Sequence, residues 1–300
     1  MISKIITPSI SAITILLAFS LPLTAKTAED QLGREIQLPE DPQRVVALAP
    51  SITEIIFALG QQDRLKGTTQ FSNYPAEAAK LSKVGSYVRL DLERIVALNP
   101  DLCIAIKDGN PKGTIDRLQS LNIPVFAVNP RNLESMMQTI QSIGAILNTS
   151  AKAKSLVEEM QNRMQQVDAL VAGIERRPSV FIQIGISPII SAGSNTFIHE
   201  LIVRAGGINV AAGNSAYPHF SREQVLALAP DVLIITSMSR SGAFEKAKAD
   251  WNRLSDMPAV RNERIYTVDS DVFDRPSPRL LDALEILTRL LHPDLFKDGS

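Results

Sequence analysis

Leu92-Glu93-Arg94-Ile95-Val96-Ala97-Leu98-Asn99-Pro100-Asp101-Leu102-Cys103-Ile104-Ala105 returns in altered form as Arg222-Glu223-Gln224-Val225-Leu226-Ala227-Leu228-Ala229-Pro230-Asp231-Val232-Leu233-Ile234-Ile235. Aligned without a gap, the copies share Glu93 with Glu223, Ala97 with Ala227, Leu98 with Leu228, Pro100 with Pro230 and Asp101 with Asp231. Each reads as a short helix, a Pro-Asp stop and a buried strand. The residue before a proline is pushed out of the α region, which ends the helix, and the apolar run after Pro-Asp is short and continuous. A repeat at so long an offset is not a solenoid period. It predicts two similar lobes.

Working outward, Arg44 to Leu48 is a predicted strand, followed by a helix from about Ile52 to Leu59, with Ser51 as N-cap, Glu54 completing a capping box and Gly60 ending it. Leu65 to Thr69, Ile123 to Val128, Ser179 to Ile184, Ile189 to Ser191 and Arg264 to Val268 read as strands. Helices are expected up to Leu121, from Thr196 to Arg204, after Ser221 as N-cap, and from Arg279 to Leu291. Strands alternating with helices predict parallel sheets covered on both faces.

Between the repeats, Thr149 to about Glu175 holds no proline, and Ala153, Leu156, Val157, Met160, Met164, Val167, Val171 and Ile174 recur at helical spacing. Such a helix, about 25 residues and nearly 40 Å long at 1.5 Å per residue, is long enough to cross a domain. The bland alternative is a coiled-coil dimer segment. We expect α/β architecture, two lobes with mostly parallel sheets joined by one long rigid helix. The expected divisions are a signal peptide over 1–25, an N-terminal lobe over 26–148, a linking helix over 149–176 and a C-terminal lobe over 177–300.

In the first twenty-five residues Lys4 is the only charge, Ile10 to Leu23 is mostly apolar and Leu23-Thr24-Ala25 offers a cleavage site. A cleaved secretory signal and a periplasmic location are expected, with an uncleaved N-terminal anchor as the alternative. Cys103 is the lone cysteine, placed in a predicted buried strand as a small core hydrophobe, so no disulfide and no lipid-anchoring cysteine are available. A net charge of -1 gives no electrostatic case for nucleic acid.

Enzyme chemistry finds little support. The chain lacks a Gly-x-Ser-x-Gly elbow, a His-Glu-x-x-His pair and a phosphate-cradling glycine loop. Its three histidines, His199, His219 and His292, are scattered singly, so no catalytic residue, no metal site and no cofactor are expected. Loops at the carboxyl ends of the strands hold Phe71, Tyr74, Tyr87, Tyr217, His219, Phe273, Asp271 and Arg275. Aromatic residues gathered there point to a pocket for a large, flat, partly apolar ligand, although each could equally anchor its own loop.

These residues carry a resemblance. Ser72-Asn73-Tyr74-Pro75, Leu92 to Leu98 with Pro100-Asp101, Phe181 to Pro188, Ser221 to Ala227 and Phe273-Asp274-Arg275-Pro276-Ser277-Pro278-Arg279 resemble, in order, segments of periplasmic cobalamin (vitamin B12)-binding proteins of ABC importers. These lie within the wider helical-backbone, class III group that delivers corrinoids, haem and ferric siderophores. The resemblance implies a small-molecule ligand between the lobes, a monomer, and delivery to a permease-ATPase complex in the inner membrane. It implies ligand-lining positions at Phe71, Tyr87, Ile106, Ile190, Tyr217, Asp271 and Arg275.

The sequence departs from the pattern where Tyr87 and Tyr217 replace tryptophans and Ile106 and Ile190 replace further aromatics; Ala205 stands at one of the family's disulfide positions. Asp271 and Arg275 could instead pair with each other. Haem is the other ligand considered. Haem-binding relatives place a tyrosine directly after the glycine of a Val-Gly segment, where Ser86 stands here and Tyr87 follows, while His219 beside Tyr217 supplies haem-ligating residue types. Glu93 and Glu223, matched across the repeat, are implied to dock on the permease. A carboxylate in a first helical turn is also favoured by the helix dipole alone.

Overall fold

The structure is a computed structural model that describes residues 25–236 and 243–299. Two strands, β1 (Ala25–Glu29) and β2 (Glu35–Pro39), form an antiparallel hairpin at the edge of the N-terminal lobe. That lobe continues through β3 (Val45–Ala47), α1 (Pro50–Ala58), β4 (Leu65–Thr68), β5 (Ser82–Lys83), the small hairpin β6 (Gly85–Ser86) and β7 (Arg89–Leu90), α2 (Leu92–Ala97), β8 (Leu102–Ile106), α3 (Lys112–Ser120), β9 (Val125–Val128) and α4 (Leu133–Ile146). Its five-stranded sheet, in the order β5-β4-β3-β8-β9, is parallel throughout.

Helix α5 (Ser150–Val171) runs for 22 residues, about 33 Å at 1.5 Å per residue. The C-terminal lobe comprises β10 (Ser179–Gly185), β11 (Ile189–Ser191), α6 (Phe197–Arg204), β12 (Ile208–Asn209), β13 (His219–Phe220), α7 (Arg222–Leu228), β14 (Val232–Ile235), α8 (Ala243–Asn252), α9 (Pro258–Arg261), β15 (Ile265–Thr267), α10 (Ser270–Phe273) and α11 (Leu280–Leu291). Its sheet runs β13-β11-β10-β14-β15, with β12 also beside β10. β10, β12, β14 and β15 are parallel, and β11 and β13 add an antiparallel edge.

The repeat is visible atom by atom. Asn99 and Ala229, at matched positions, both adopt the left-handed conformation, with φ of 46° and 45°, as the chain leaves α2 and α7. The following aspartates then do the same work. Asp101 accepts bonds of 2.7 and 2.9 Å from the Gln43 and Arg44 amides at the start of β3, and Asp231 accepts bonds of 2.9 Å from the Ser179 amide and hydroxyl at the start of β10. Each Pro-Asp thus terminates a helix and pins the neighbouring parallel strand, which explains why both residues recur together.

α5 buries Ala153, Val157, Met160, Met164, Val167 and Val171, a face that packs on α4, α11 and α6. Through that face one apolar core joins the lobes, running from Val45, Ile52 and Phe126 on one side to Val180, Ile234 and Leu284 on the other. Arg163 ties α5 to α11 through Asp282 and Glu285 at 2.7 and 2.8 Å. Across the lobes, the Glu200 carboxylate of α6 accepts a 2.7 Å bond from the Leu133 amide in the first turn of α4, where an unpaired donor would otherwise remain.

Three expectations need correction. Ser51 is not the N-cap of α1: the helix begins at Pro50 after Ala49, with no side-chain cap, and Ser51 and Glu54 are buried inside it. Residues 269–278, expected as loop, contain α10. Helices α4, α8 and α9 have no counterpart among the expected elements. Residues 1–24 of the expected signal lie outside the described residues, and Ala25 already belongs to β1. Among the described residues no helix is long and apolar enough to cross a membrane.

Candidate ligand-binding cleft

Every predicted ligand residue except Ile190 follows, or closes, the carboxyl end of a parallel strand, where ligands of α/β sheets sit. In the N-terminal lobe Phe71 follows β4, Tyr87 lies in the turn of the β6–β7 hairpin into which the chain runs after β5, and Ile106 ends β8. Asn110 organises this wall. Its side chain donates 2.8 Å bonds to the carbonyls of Leu48 and Tyr87 and accepts a 2.8 Å bond from the Ile106 amide, tying three loops together. Gly109, at φ +131°, lies against the Tyr87 ring, where a β-carbon would come within 2.7 Å. The sequence marks Gly109-Asn110 only as a turn.

On the facing lobe Ile190 lies in β11 beside His219 of β13, and Tyr217 is held by its neighbours, with the Gly193 amide bonded to the Ala216 carbonyl and the Ser191 amide to that of Pro218. Tyr217 is 48% exposed. Its phenol is nonetheless raised above the ordinary value, first by burial among packed atoms, then by Asp108 and, to a lesser degree, Asp274 and Tyr87, with Arg131 opposing. The phenol of one lobe therefore feels charges carried by the other. Tyr87 is raised by burial and by the charge of Asp274.

Asp271 and Arg275 meet, within a wider network. Arg275, 9% exposed, donates 2.9 Å bonds to Glu54 and Asn73 and a 3.0 Å bond to the Phe71 carbonyl, and pairs with Asp271. Asn73 in turn donates a 2.7 Å bond to Asp271. Glu54 accepts a 2.6 Å bond from the Ser277 hydroxyl, and Arg279 lies 4.0 Å over the Tyr74 ring. Burial raises the Glu54 carboxyl above its usual range, opposed by Ser277, Arg275 and Arg279. This network fastens the lobes beside the cleft. Removing one partner of such a buried pair costs about 3–5 kcal/mol because the other charge is stranded. The pairing of Asp271 with Arg275 that the sequence leaves open is present, and both terminal guanidinium nitrogens of Arg275 are engaged by protein.

A cavity of about 330 Å³ lies behind this seam, between α1, α5 and α11, lined by Glu54, Tyr74, Arg163 and Arg279 among others. It includes none of the predicted ligand residues and is lined mainly by side chains of three packed helices, so we read it as a gap in helix packing. Glu93 and Glu223 stand exposed in the first turns of α2 and α7, behind the N-caps Asp91 and Ser221. The Glu223 carboxylate is held below its usual range, foremost by its own backbone amide and then by the Ser221 hydroxyl. Cys103 is buried, its thiol pushed up to about 12 by burial. Among the described residues no group of three or more metal-ligating side chains exists.

A profile of the periplasmic binding protein family matches residues 45–272. The chain belongs to this family. Its members are substrate-binding proteins of ABC importers; they are not enzymes, and what they hold is cargo rather than a cofactor. The chain is 33% identical to the vitamin B12-binding protein of Vibrio parahaemolyticus over 248 residues, 82% of this chain and 88% of that one. Among solved structures it resembles the periplasmic vitamin B12-binding protein BtuF of Vibrio cholerae, with a TM-score of 0.73 and 28% identity, covering 86% of this chain and 100% of that one. It also resembles the apo periplasmic haem-binding protein RhuT of Roseiflexus sp. RS-1, with a TM-score of 0.77 and 29% identity over 84% and 99% of the two chains.

Proposed function

We propose that this periplasmic binding protein captures a cobalamin-like corrinoid between its lobes at 1:1 stoichiometry and delivers it to an ABC permease. The observation that carries the reading is a tyrosine on each lobe, Tyr87 packed on Gly109 with its carbonyl held by Asn110, and Tyr217 in a loop whose Ala216 and Pro218 carbonyls are bonded to the Gly193 and Ser191 amides. Two aromatic faces with Phe71, Ile106 and Ile190 beside them suit a broad, partly apolar macrocycle. The vitamin B12-binding relatives support the choice. Calorimetric titration with cyanocobalamin tests it: Tyr87→Ala and Tyr217→Ala are each expected to weaken binding about tenfold or more. Unchanged affinity in both variants would remove the site.

Haem is the second reading, favoured by the likeness to a haem-binding protein and by His219 beside Tyr217 at the cleft edge. Against it, Ser86 rather than tyrosine follows Gly85. The absorption spectrum after addition of haemin separates the two, since an iron-ligating tyrosine or histidine shifts the Soret band and a bystander does not.

Delivery rests on Glu93 and Glu223. One exposed carboxylate per lobe, at matched places in the repeat, forms a pair of charges suited to arginines on the two halves of a permease; such pairing sets orientation and encounter rate and weakens with salt. The Glu93→Ala, Glu223→Ala double variant is expected to keep its fold and its ligand affinity while losing uptake in vesicles containing the transporter. Normal uptake with a slightly lower melting temperature would leave both residues as helix-dipole partners only. Export through a cleaved signal within residues 1–25 completes the reading.

A further inference from the structure

Tyr87 and Ile106 reach the N-terminal wall of the cleft on separate segments, and one side chain bonds the backbone of both. The amide nitrogen of Asn110 donates to the Tyr87 carbonyl, its amide oxygen accepts from the Ile106 amide, and the remaining donor goes to the Leu48 carbonyl, each at 2.8 Å. Asn110 is buried. A primary amide offers two N–H donors and a carbonyl acceptor, and all three functions are in use. Aspartate has the same shape, but when ionised it donates nothing and sets a charge against two carbonyl oxygens. The arrangement therefore asks for asparagine itself.

Tyr87 needs such support because of where it stands. The β6–β7 hairpin pairs only two residues on each strand, and a two-stranded hairpin is marginal in water by itself. Asn110 ties its turn to the end of β8 through the Tyr87 carbonyl. Gly109 then receives the ring. A β-carbon on Gly109 would stand 2.7 Å from both Cδ2 and Cε2 of Tyr87, whereas the next atom it would meet, Cγ2 of Ile106, lies 3.9 Å away. At φ +131° the backbone there also favours glycine. Consecutive residues thus hold Tyr87 at its two ends, one by its carbonyl and one by the edge of its ring.

We propose that Gly109 and Asn110 are positioning residues for ligand binding, which act through Tyr87 by fixing where its ring stands relative to Ile106 on the N-terminal wall. The inference rests on the corrinoid reading. It adds the two residues that set the geometry of that wall without being needed as ligand contacts themselves.

The test is a pair of double-mutant cycles read by calorimetric titration with cyanocobalamin: Asn110→Asp and Gly109→Ala, each alone and each combined with Tyr87→Ala. Circular dichroism and melting curves check every fold, and Gly109→Ala, which leaves the three Asn110 bonds their partners, keeps the test open if Asn110→Asp fails to fold. A residue that works through the Tyr87 ring loses its effect once the ring is gone. Each single variant is expected to weaken binding about tenfold, and the same change is expected to cost about twofold or less in the Tyr87→Ala background. A merely structural role lowers the melting temperature and gives losses that do not depend on Tyr87. Wild-type affinity in the folded single variants, or equal losses with and without the Tyr87 ring, would overturn the positioning role and leave the corrinoid reading standing. Wild-type protein that leaves cyanocobalamin unbound would overturn both.

Discussion

Asp274 bears on stability. Its carboxyl is pushed up to about 7 from the ordinary 3.8, first by burial and then by Asp271 and Asp269, against the opposing Thr236 bond and Arg275. Between those values the native state holds a proton that the unfolded state has released, so stability falls as pH rises through the window. The contribution is fully present below about pH 4 and gone above about pH 7. Asp274→Asn abolishes it: the variant is expected to gain in melting temperature relative to wild type as pH is raised from 5 to 8, whereas a constant gap between the two proteins would contradict the assignment. The sequence makes Asp271 and Arg275 legible because Arg275 stands in, and Asp271 two residues before, a Phe-Asp-Arg-Pro-Ser-Pro-Arg segment that resembles a family pattern. It conceals the partner. Glu54 follows Ser51 by three residues, which imitates a capping box, and only the fold brings it 2.9 Å from a guanidinium 221 positions away. Asn110 is equally hidden, since an asparagine in a turn gives no hint of the three loops it fastens.

The helix-strand repeat shows what kind of element can be read from sequence. Its two copies are recognisable because Pro-Asp imposes the same stop and the same strand-pinning bonds in each lobe. One detail differs. Asn99 suits the left-handed conformation, whereas Ala229, at φ 45°, pays the β-carbon clash of about 1–2 kcal/mol. Ala229 is exposed, so Ala229→Asn is expected to stabilise the protein by about 1 kcal/mol in urea denaturation without altering ligand binding; a destabilised variant would show that α7 depends on the alanine for some other reason. The elements that escape are those lacking such punctuation. α4 has its Asn132–Ser135 capping box and apolar residues at Leu133, Met136, Met137 and Ile140, but this signal abuts the Thr149 helix and merges with it along the chain. α10 is four residues long, below what periodicity can register.

At the scale of the molecule, two sheets share one core. Val45 and Val180, a lobe apart, belong to the same apolar cluster, and Glu200–Leu133 and Glu54–Arg275 bond across the seam. Two lobes of this size could unfold separately if they met only through a linker. Here we expect a single calorimetric transition with equal van't Hoff and calorimetric enthalpies, and two resolved transitions would show that the seam is weaker than its contacts. The repeat announces two lobes; their fusion is not readable, because it depends on α5 burying one face against both.

That fusion has a kinetic meaning. α5 contains neither proline nor glycine, the usual sites of a helix bend, and with the lobes bonded on both flanks the walls of the cleft have little freedom to swing apart. A cargo enclosed by such walls leaves through fluctuation of the loops rather than by opening of the vessel, so residence time, rather than capture rate, is where the fold places its selectivity. The receiving machine must then do mechanical work as well as recognise its visitor. Emptying the cleft requires deforming the seam, and the docking proposed for Glu93 and Glu223 would put a grip on each lobe to supply the leverage.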